Sequence, residues 1–367
     1  MPVADETLYR LLQVSDLHFG NIPAGQSTAS SAPSPRLIGL NPLFDGQLGH
    51  HAAGVLALND FHARLRRRCE GFDMVVTGDV TANGAVGQFD LAGSFLGAGP
   101  SQFGFQLGRS DWADTGISGN HDQWNGNNSM IGGPTQGLAR HLPQPMPRVR
   151  ARILPDETML KFLFIDTDAD VSAFSPNRIL GRGAFHTQLQ ALEGLPPIGE
   201  REIRVLVMHH SVVGPVKPIP DPSRPGVVQI TRGGRRRMME IADFSMRLLN
   251  HFIVDKSISV VLSGHMHVAL LSELVATNGP YTRRYLEARC GSTTQRDRFE
   301  YKDLKGMPQA RALRPNTLLM HEIVREQGNL VWKSVVHWLA PAGRFVPLPP
   351  ANVPAPATPG QVSFVLS

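Results

Sequence analysis

The feature of this sequence that most constrains its fold is a series of short apolar runs that end abruptly in polar residues. The runs are three to six residues long and rich in β-branched side chains, a pattern typical of buried strands. An Asp or a His follows each run within three residues. The five predicted strands are Leu11–Val14, Met74–Val76, Leu160–Ile165, Val205–Met208 and Ile258–Leu262.

Stretches with a different periodicity lie between these runs. In Val55–Arg68, Thr187–Leu195 and Arg235–Phe252 the apolar residues recur at helical spacing, which predicts helices with one buried face. Strands that alternate with helices along a chain indicate an α/β sandwich.

The later part of the chain is rich in β-forming residues. Tyr281–Cys290, Thr317–Val324 and Leu330–Trp338 are predicted strands, and the stretch 326–329 predicts a turn between the last two. We expect these segments to form a second, antiparallel sheet that packs on the first.

Seven prolines between residues 341 and 360 predict an extended segment at the C-terminal end. The apolar stretch Gln361–Ser367 that follows has the pattern of an edge strand. We therefore divide the chain into one domain over residues 1–340 and a Pro-rich tail over residues 341–367.

Composition excludes several classes of protein. The 367 residues are 41% hydrophobic and 18% charged, which suits a packed core and not a disordered chain. Only Cys69 and Cys290 are present, so a disulfide framework is excluded and a reducing cytoplasm is the expected location. No run of about 18 apolar residues occurs, so we expect no membrane span. The first ten residues also lack the apolar core of a secretory leader.

Three long stretches are predicted to be loops, at residues 21–49, 124–147 and 213–234. Each directly follows polar residues at the end of a predicted strand. Long loops at such positions usually shape a binding or active site, and we expect these three to do so.

Five polar blocks are the candidate functional residues. In open α/β sheets, ligands bind at the carboxyl ends of strands, so blocks that follow strands are expected to converge although they span about 250 residues. Four blocks follow apolar runs, and the third follows a weaker one at 114–118. The blocks are Asp16-Leu17-His18, Gly78-Asp79, Gly119-Asn120-His121-Asp122, His209-His210 and Gly264-His265-Met266-His267.

The side chains in these blocks supply carboxylate or amide oxygen and imidazole nitrogen, without a thiolate. Such a set favours divalent first-row metals such as Mn, Fe or Zn over a structural zinc. Asp16 and His18, two residues apart, share a face of an extended chain and are expected to point at one ion. Gly78 and Gly264 are expected to let the backbone approach the cluster closely.

The motifs SDLHFG, TGDVTANG, GNHD, MHH and GHMH together resemble those of the calcineurin-like metallophosphoesterase superfamily, in the same order. The resemblance covers residues 10–295. It implies a four-layer α/β/β/α sandwich of two mixed β-sheets flanked by helices, with a dinuclear metal centre of Mn, Fe or Zn.

By position, the resemblance also implies the role of each residue. Asp79 bridges the two ions, and His121 and Asp122 are catalytic: His121 contacts the phosphate or protonates the leaving group, and Asp122 orients it. The first ion is implied to be held by Asp16, His18, Asp79 and His267, and the second by Asp79, Asn120, His209 and His265.

The implied activity is hydrolysis of a phosphate ester by a hydroxide that bridges the two ions. The form of TGDVTANG is similar to the bacterial branch that cleaves cyclic nucleotides and glycerophosphodiesters, so a small phosphodiester is the expected substrate. Residues 80–84 lack the Asp and Arg of the protein phosphatases, and no Tyr occurs within residues 11–280, unlike in purple acid phosphatases. A phosphomonoesterase or nuclease is one alternative, and a metal-binding interaction scaffold without turnover is another.

For several other residues, a structural role is weighed against a functional one. His210 is expected to pack behind the site, and Trp124 either stacks on a substrate ring or packs on its own loop. Arginines 64, 66, 67 and 68 complement the end of the predicted helix. Arginines 232 and 235–237 could steer an anionic substrate, or bind nucleic acid, which the lack of interleaved aromatic residues does not favour. A homo-oligomer is compatible with the sequence.

Overall fold

A computed structural model describes most of the chain. The described residues are 6–20, 50, 52–69, 71–124, 136–142, 145–171, 181–214, 217–220, 228–231, 240–295, 298–302, 308–313, 315–348 and 360–366. The helices are α1 (Ala52–Arg68), α2 (Val86–Leu96), α3 (Trp112–Thr115), α4 (Gln136–His141), α5 (His186–Ala191) and α6 (Asp243–Asp255).

The described strands form two large mixed sheets and two separate two-stranded antiparallel sheets. In chain order they are β1 (Glu6–Val14), β2 (Asp73–Thr77), β3 (Gly116–Ile117), β4 (Arg148–Ile153), β5 (Met159–Phe164), β6 (Glu202–Val207), β7 (Lys217–Pro220), β8 (Val228–Thr231), β9 (Ile258–Ser263), β10 (Leu270–Asn278), β11 (Tyr281–Arg289), β12 (Arg298–Lys302), β13 (Pro308–Leu313), β14 (Thr317–Glu326), β15 (Asn329–Leu339), β16 (Phe345–Pro347) and β17 (Gln361–Val365).

The first sheet has seven strands in the order β16-β15-β14-β1-β2-β3, and β17 also pairs with β15. Strands β1, β2 and β3 are parallel to one another, β14 pairs antiparallel with β1, and β15 pairs antiparallel with β14. The second sheet has the order β10-β11-β9-β6-β5-β4, in which β11, β9, β6 and β5 are parallel. Each sheet therefore presents a set of parallel carboxyl ends.

The apolar side chains separate into three large cores because successive residues of a strand point to opposite faces. On β2, Val75 lies in the core between the two sheets, while Met74 and Val76 face the helices α1 and α2. On β6, Val205 faces the inter-sheet core and Leu206 faces α5 and α6. The chain is thus an α/β sandwich of two mixed sheets with helices on their outer faces.

The five strands predicted from apolar runs are confirmed, and so is the helix predicted at 55–68. The expectation of a separate antiparallel second sheet is wrong. Segment 281–290 lies in the second sheet as β11, whereas 317–324 and 330–338 join the first sheet as β14 and β15. Periodicity identifies strands, but the partner of a strand depends on contacts distant in sequence.

Two predicted helices have different bounds. The helix predicted at 187–195 ends at Ala191, and turns follow it. The helix predicted at 235–252 begins only at Asp243, because residues 240–242 run alongside Gly183 and exchange backbone hydrogen bonds with it. Residues 235–239 lie outside the described residues.

The predicted loops are described only in part. Residues 21–49 and 125–135 lie outside the described residues, as do the arginines at 232 and 235–237. Stretch 124–147 contains helix α4, and stretch 213–234 contains the antiparallel pair β7–β8, so neither is structureless throughout.

The C-terminal tail contributes to the first sheet. Both β16 and β17 lie within residues 341–367, and both pair with β15 of the preceding region. The prediction of an edge strand at the C-terminal end is therefore confirmed for Gln361–Val365. Among the described residues, no helix combines the length and the apolarity needed to cross a lipid bilayer.

Candidate metal centre

The loops after β1 and β2 are joined by backbone hydrogen bonds that bring their carboxylates together. The N–H of Asp16 donates to the carbonyl of Gly78 at 3.0 Å, and the N–H of His18 donates to that of Asp79 at 2.9 Å. Asp16 and His18 have φ angles of 50° and 49°, so both residues of the loop after β1 adopt the left-handed backbone conformation. The expectation that an extended chain aims both side chains is therefore wrong, although they do converge.

Left-handed backbone is concentrated at the predicted ligands. A non-glycine residue rarely adopts positive φ, because its Cβ crowds the following carbonyl, and such residues cluster at functional sites. Eight of the described non-glycine residues have positive φ, and five of these are predicted ligands: Asp16, His18, Asp79, His265 and His267.

The carboxylate of Asp16 uses only one of its oxygens for hydrogen bonds. Oδ2 accepts from the Ser15 hydroxyl at 2.6 Å and from the His265 N–H at 3.0 Å. Oδ1 is buried and accepts no hydrogen bond, and it lies 3.3 Å from Nε2 of His267. A buried oxygen without a donor is costly unless a cation or a proton balances it.

In Asp79, at the centre of the cluster, the two carboxylate oxygens also differ in their hydrogen bonds. Its Oδ1 accepts from the backbone N–H of His121 at 2.9 Å, while its buried Oδ2 accepts no hydrogen bond. Oδ2 lies 3.3 Å from Nε2 of His209 and 3.6 Å from Nε2 of His18. One oxygen thus fixes the carboxylate and the other faces imidazole nitrogens on both sides.

His209 is oriented by the strand next to it. Its Nδ1 donates to the carbonyl of Thr77 at 2.8 Å, so Nε2 carries the lone pair in the neutral ring. Nε2 lies 3.2 Å from Oδ1 of Asn120 and 3.2 Å from Nδ1 of His265. An imidazole held in this way on a carbonyl is the usual arrangement of a metal-ligating histidine.

The two predicted ligand sets therefore exist as two adjoining clusters. Nε2 of His18 and Nε2 of His267 face each other at 3.2 Å. Within each cluster the candidate ligand atoms lie within 4.8 Å of one another, and Asp79 belongs to both. The first cluster is Asp16, His18, Asp79 and His267; the second is Asp79, His209 and His265, with Asn120 beside them.

The electrostatics of the cluster show how strongly it attracts positive charge. Burial alone would lower the pKa of His209, but the charges of Asp79 and Asp16 and the hydrogen bonds to Asp79 and Thr77 together outweigh it and raise the pKa to about 10. By contrast, burial and neighbouring histidines hold the pKa values of His18 and His265 well below their usual range. Without metal, one proton on His209 is the cation that the carboxylates bind.

His121 lies at the margin of this cluster. Its Nδ1 donates to the carbonyl of Ala82 at 2.9 Å, which leaves Nε2 free, 3.9 Å from Oδ2 of Asp79. The indole of Trp124 packs against the imidazole with ring centroids 3.7 Å apart. Because 13% of the His121 side chain is exposed, Nε2 is placed between the buried cluster and solvent. Of the two interpretations of Trp124, the structure shows it packed on the adjacent turn.

Asp122 has a different place from the one expected. Its carboxylate accepts from the backbone N–H groups of Val80, Thr81 and Gly119 and from the Thr81 hydroxyl. The contact that orients His121 comes instead from the Ala82 carbonyl. Burial, followed by the charge of Asp79, raises the pKa of Asp122 to about 7. Asp122 therefore ties together the loops after β2 and β3.

The two glycines expected at close approaches are confirmed. A Cβ on Gly78, which has a φ of 94°, would overlap the imidazole of His209. A Cβ on Gly264 would overlap the Ser15 hydroxyl, which holds Asp16.

His210 faces away from the cluster, as expected. Its Nε2 donates to the carbonyl of Gly181 at 3.2 Å, and its Nδ1 accepts from the Thr167 hydroxyl at 2.7 Å. Burial and then the neighbouring His209 lower its pKa to about 3, so the ring is neutral. It packs against the ring of His265 at 4.2 Å and supports that ligand from behind.

Sequence reasoning missed two buried charged residues on β11. The carboxylate of Glu287 accepts from the hydroxyls of Ser211 and Ser263 and from the N–H groups of Val212 and Val213. Arg289 donates to the Val213 carbonyl at 3.0 Å and to the Val268 carbonyl at 2.9 Å.

These contacts tie the loop after His209 to the loop after His267. The only signal in the sequence was the pair of charges at 287 and 289, which interrupts an otherwise apolar stretch from residue 285 to 290.

Comparison with known proteins adds little to this description. The chain matches no protein-family model and no curated protein. Among solved structures it is similar to one described as GAP50, the anchor in the inner membrane complex of Plasmodium. The TM-score is 0.43 at 13% identity, over 90% of this chain and 85% of that one. Similarity at this level supports no inference about fold or function.

Proposed function

We propose that this protein is a metal-dependent phosphoesterase that cleaves small phosphodiesters, with two metal ions held by the clusters around Asp79. The observation that carries the proposal is the difference between the two oxygens of each carboxylate. In both Asp16 and Asp79, one oxygen is fixed by a backbone N–H donor, and the other is buried and faces histidine nitrogens in place of a backbone donor.

The residues present fit two cations of the Mn, Fe or Zn type. Imidazole nitrogen, carboxylate oxygen and an amide oxygen are ligands that these ions accept, and no thiolate is involved. The buried Oδ2 of Asp79 faces both clusters, which suits a ligand shared by two ions. When bound, such a pair supplies Lewis-acid activation of water and of phosphoryl oxygens near neutral pH.

His121 is proposed to bind the phosphate or to protonate the leaving group. The Ala82 carbonyl fixes Nδ1 as a donor, so Nε2 is the atom that, when the ring is protonated to imidazolium, donates to a phosphate oxygen or gives its proton to a departing alkoxide and leaves the ring neutral. Trp124 and Asp122 act as positioning residues, the first by packing on the imidazole and the second by fixing the turn on which it stands.

The resemblance in five motifs to calcineurin-like metallophosphoesterases supports the same proposal, including its four-layer α/β/β/α form. A small phosphodiester of the cyclic-nucleotide or glycerophosphodiester type is the proposed substrate, and the cytoplasm is the proposed location. The scaffold alternative is less favoured, because such proteins have typically lost ligands and all seven predicted ligands meet in this structure.

The test combines metal analysis with turnover by the full chain. We expect about two metal ions per chain after reconstitution with Mn²⁺, and hydrolysis of bis(p-nitrophenyl) phosphate faster than that of p-nitrophenyl phosphate. Asp79→Ala and Asn120→Ala should reduce the rate to background, whereas His251→Ala, which removes an exposed histidine of α6, should leave it unchanged.

Each alternative has its own outcome. Faster hydrolysis of the monoester or nicking of plasmid DNA would replace the diesterase proposal with a phosphomonoesterase or nuclease. Bound metal without hydrolysis of any phosphate ester would support the scaffold. Metal-dependent hydrolysis that survives both substitutions would show that the site lies elsewhere.

A further inference from the structure

A cleft lies at the opposite end of the first sheet from the candidate metal centre. It has a volume of about 570 Å³ and is lined by the start of β2, the first half of β1 and the last turn of α1. Asp73 begins β2 at the cleft, and Asp79 follows the other end of this five-residue strand. At about 3.3 Å per residue, the strand alone separates the two places by roughly 17 Å. The cleft is therefore a separate place on the molecule.

The lining of this cleft is positively charged. It contains four arginines and two aspartates: Arg10, Arg66, Arg109, Arg152, Asp73 and Asp111. Glu322, outside the lining, pairs with Arg10 at 3.0 Å, so one positive charge remains unbalanced. That charge is Arg66, which is exposed and has no hydrogen bond or ion pair with the described residues.

Arg109 is fixed before any ligand arrives. Its Nε and Nη2 donate to the carboxylate of Asp111 at 2.9 and 2.7 Å, and its Nη1 donates to the Phe72 carbonyl at 3.1 Å. The guanidinium also lies over the Phe72 ring, 5.4 Å from its centroid. A group already held in this way loses little conformational entropy when it binds an anion. Two of its five N–H groups take no part in these hydrogen bonds.

A buried histidine next to the cleft is affected by the positive charge of the cleft. His62 is 2% exposed, and its ring packs edge-on against Phe72. Burial, followed by the charges of Arg109 and Arg66, lowers its pKa to about 4. Both arginines therefore act on one region from two elements, the end of α1 and the loop before α3.

We propose that this cleft binds a phosphorylated small molecule, with Arg66 and Arg109 contacting its phosphoryl oxygens. A carboxylate is planar and is satisfied by a single guanidinium, whereas a phosphoryl group offers three oxygens to donors that converge from different directions. The volume exceeds that of a phosphate ion and is typical of sites for small organic ligands. The proposal does not depend on the metal centre.

The test measures binding of pyrophosphate to the full chain by titration calorimetry at constant ionic strength. Arg66→Glu should weaken binding roughly tenfold or more. Arg67→Glu is the matched control, because it makes the same charge change in the same helical turn but lies outside the cleft. It should change the affinity less than about twofold. Asp79→Ala, which disrupts the metal centre, should retain the binding.

Three results would overturn the proposal. Equal losses in both arginine variants would indicate general attraction by the charged helix end. Binding that is lost in Asp79→Ala and kept in Arg66→Glu would place pyrophosphate at the metal centre. Citrate that binds more tightly than pyrophosphate, with the same dependence on Arg66, would show that the cleft selects carboxylates.

Discussion

At the scale of single residues, side chains of the candidate metal centre are held by one polar atom, which leaves a second polar atom to face a cation. Thr77 holds Nδ1 of His209 and leaves Nε2, while backbone N–H groups hold one oxygen of each carboxylate and leave the other. Rigid positioning of this kind is what a site needs to bind a cation without rearrangement. The same contacts determine how the site responds to pH and to substitution.

Metal affinity is expected to rise with pH because a cation must displace the proton of His209. The raised pKa of about 10 means that His209 is protonated in the metal-free protein at neutral pH. His18 and His265, whose pKa values are lowered, are neutral there and do not compete. The apparent affinity for Mn²⁺ should therefore increase about tenfold per pH unit between pH 6 and 9.

Calorimetry in buffers of different ionisation enthalpy measures this effect directly. About one proton should be released at pH 7 when the cluster around His209 is filled. His209→Gln, which lacks the titrating nitrogen, should bind metal more weakly and with a flatter dependence on pH. A release of zero protons in the wild-type protein would contradict the assignment.

Replacement of His121 is expected to distinguish proton donation from phosphate binding. If Nε2 protonates the leaving group, His121→Ala should slow an alkyl phosphodiester by about 10²–10⁴-fold and a p-nitrophenyl diester far less, because p-nitrophenolate needs no proton. The measurement is kcat/KM for both substrates. Equal losses would assign His121 to phosphate binding.

At the scale of helices and strands, much of the fold could be predicted, since buried strands have a clear apolar pattern. The residues of the candidate metal centre could also be singled out, because they follow those strands within a few residues. The sheet to which β14 and β15 belong was predicted wrongly, because these strands have the same apolar pattern whichever sheet they join. The start of α6 was also missed, because residues 240–242 pair with Gly183, a contact that no local pattern encodes.

Strand β11 is expected to support the metal centre through Glu287. Replacing Glu287 with Ala removes the acceptor of four hydrogen bonds and leaves buried donors unpaired, so unfolding free energy should fall by about 3–5 kcal/mol. Urea unfolding measures the loss, and metal analysis should show reduced metal content. Glu273→Ala on neighbouring β10, where the carboxylate is 43% exposed, is the control and should change stability by less than about 0.5 kcal/mol.

Strand β17 is expected to contribute to the stability of the first sheet through one side chain. Phe364 is 5% exposed and lies opposite Trp332 of β15, whereas the next residue, Val365, is 55% exposed. Phe364→Ala should lower the unfolding free energy by about 3–5 kcal/mol, and Val365→Ala by less than about 0.5 kcal/mol. Thermal unfolding of both variants compares them. Equal effects would show that β17 does not pack as described.

At the scale of the whole molecule, the candidate metal centre joins the two sheets. Asp16, Asp79 and Asn120 follow strands of the first sheet, whereas His209 and His265 follow strands of the second. A cation bound by both sets therefore adds a link between two layers that also meet through the apolar core between them and through hydrogen bonds, such as those of Gln13 to the Ser263 carbonyl and of His209 to the Thr77 carbonyl.

Metal is accordingly expected to stabilise the entire sandwich. A ligand present at 100 times its dissociation constant adds about 2.7 kcal/mol to the unfolding free energy. Chelation should lower the melting temperature, and Mn²⁺ should restore it in the wild type but not in Asp79→Ala. A chelator that leaves the wild-type melting curve unchanged would contradict a link between the sheets.

The left-handed backbone of five predicted ligands has a consequence for how this protein would evolve. At such a position glycine removes a steric penalty of roughly 1–2 kcal/mol, but in place of Asp16 or Asp79 it also removes the acceptor of a buried backbone N–H. In a laboratory lineage selected only for heat resistance, in metal-free medium, His18, whose buried Nδ1 makes no hydrogen bond, should therefore be replaced by glycine before either aspartate. A His18 that persists in such a lineage would indicate that the cells depend on the site.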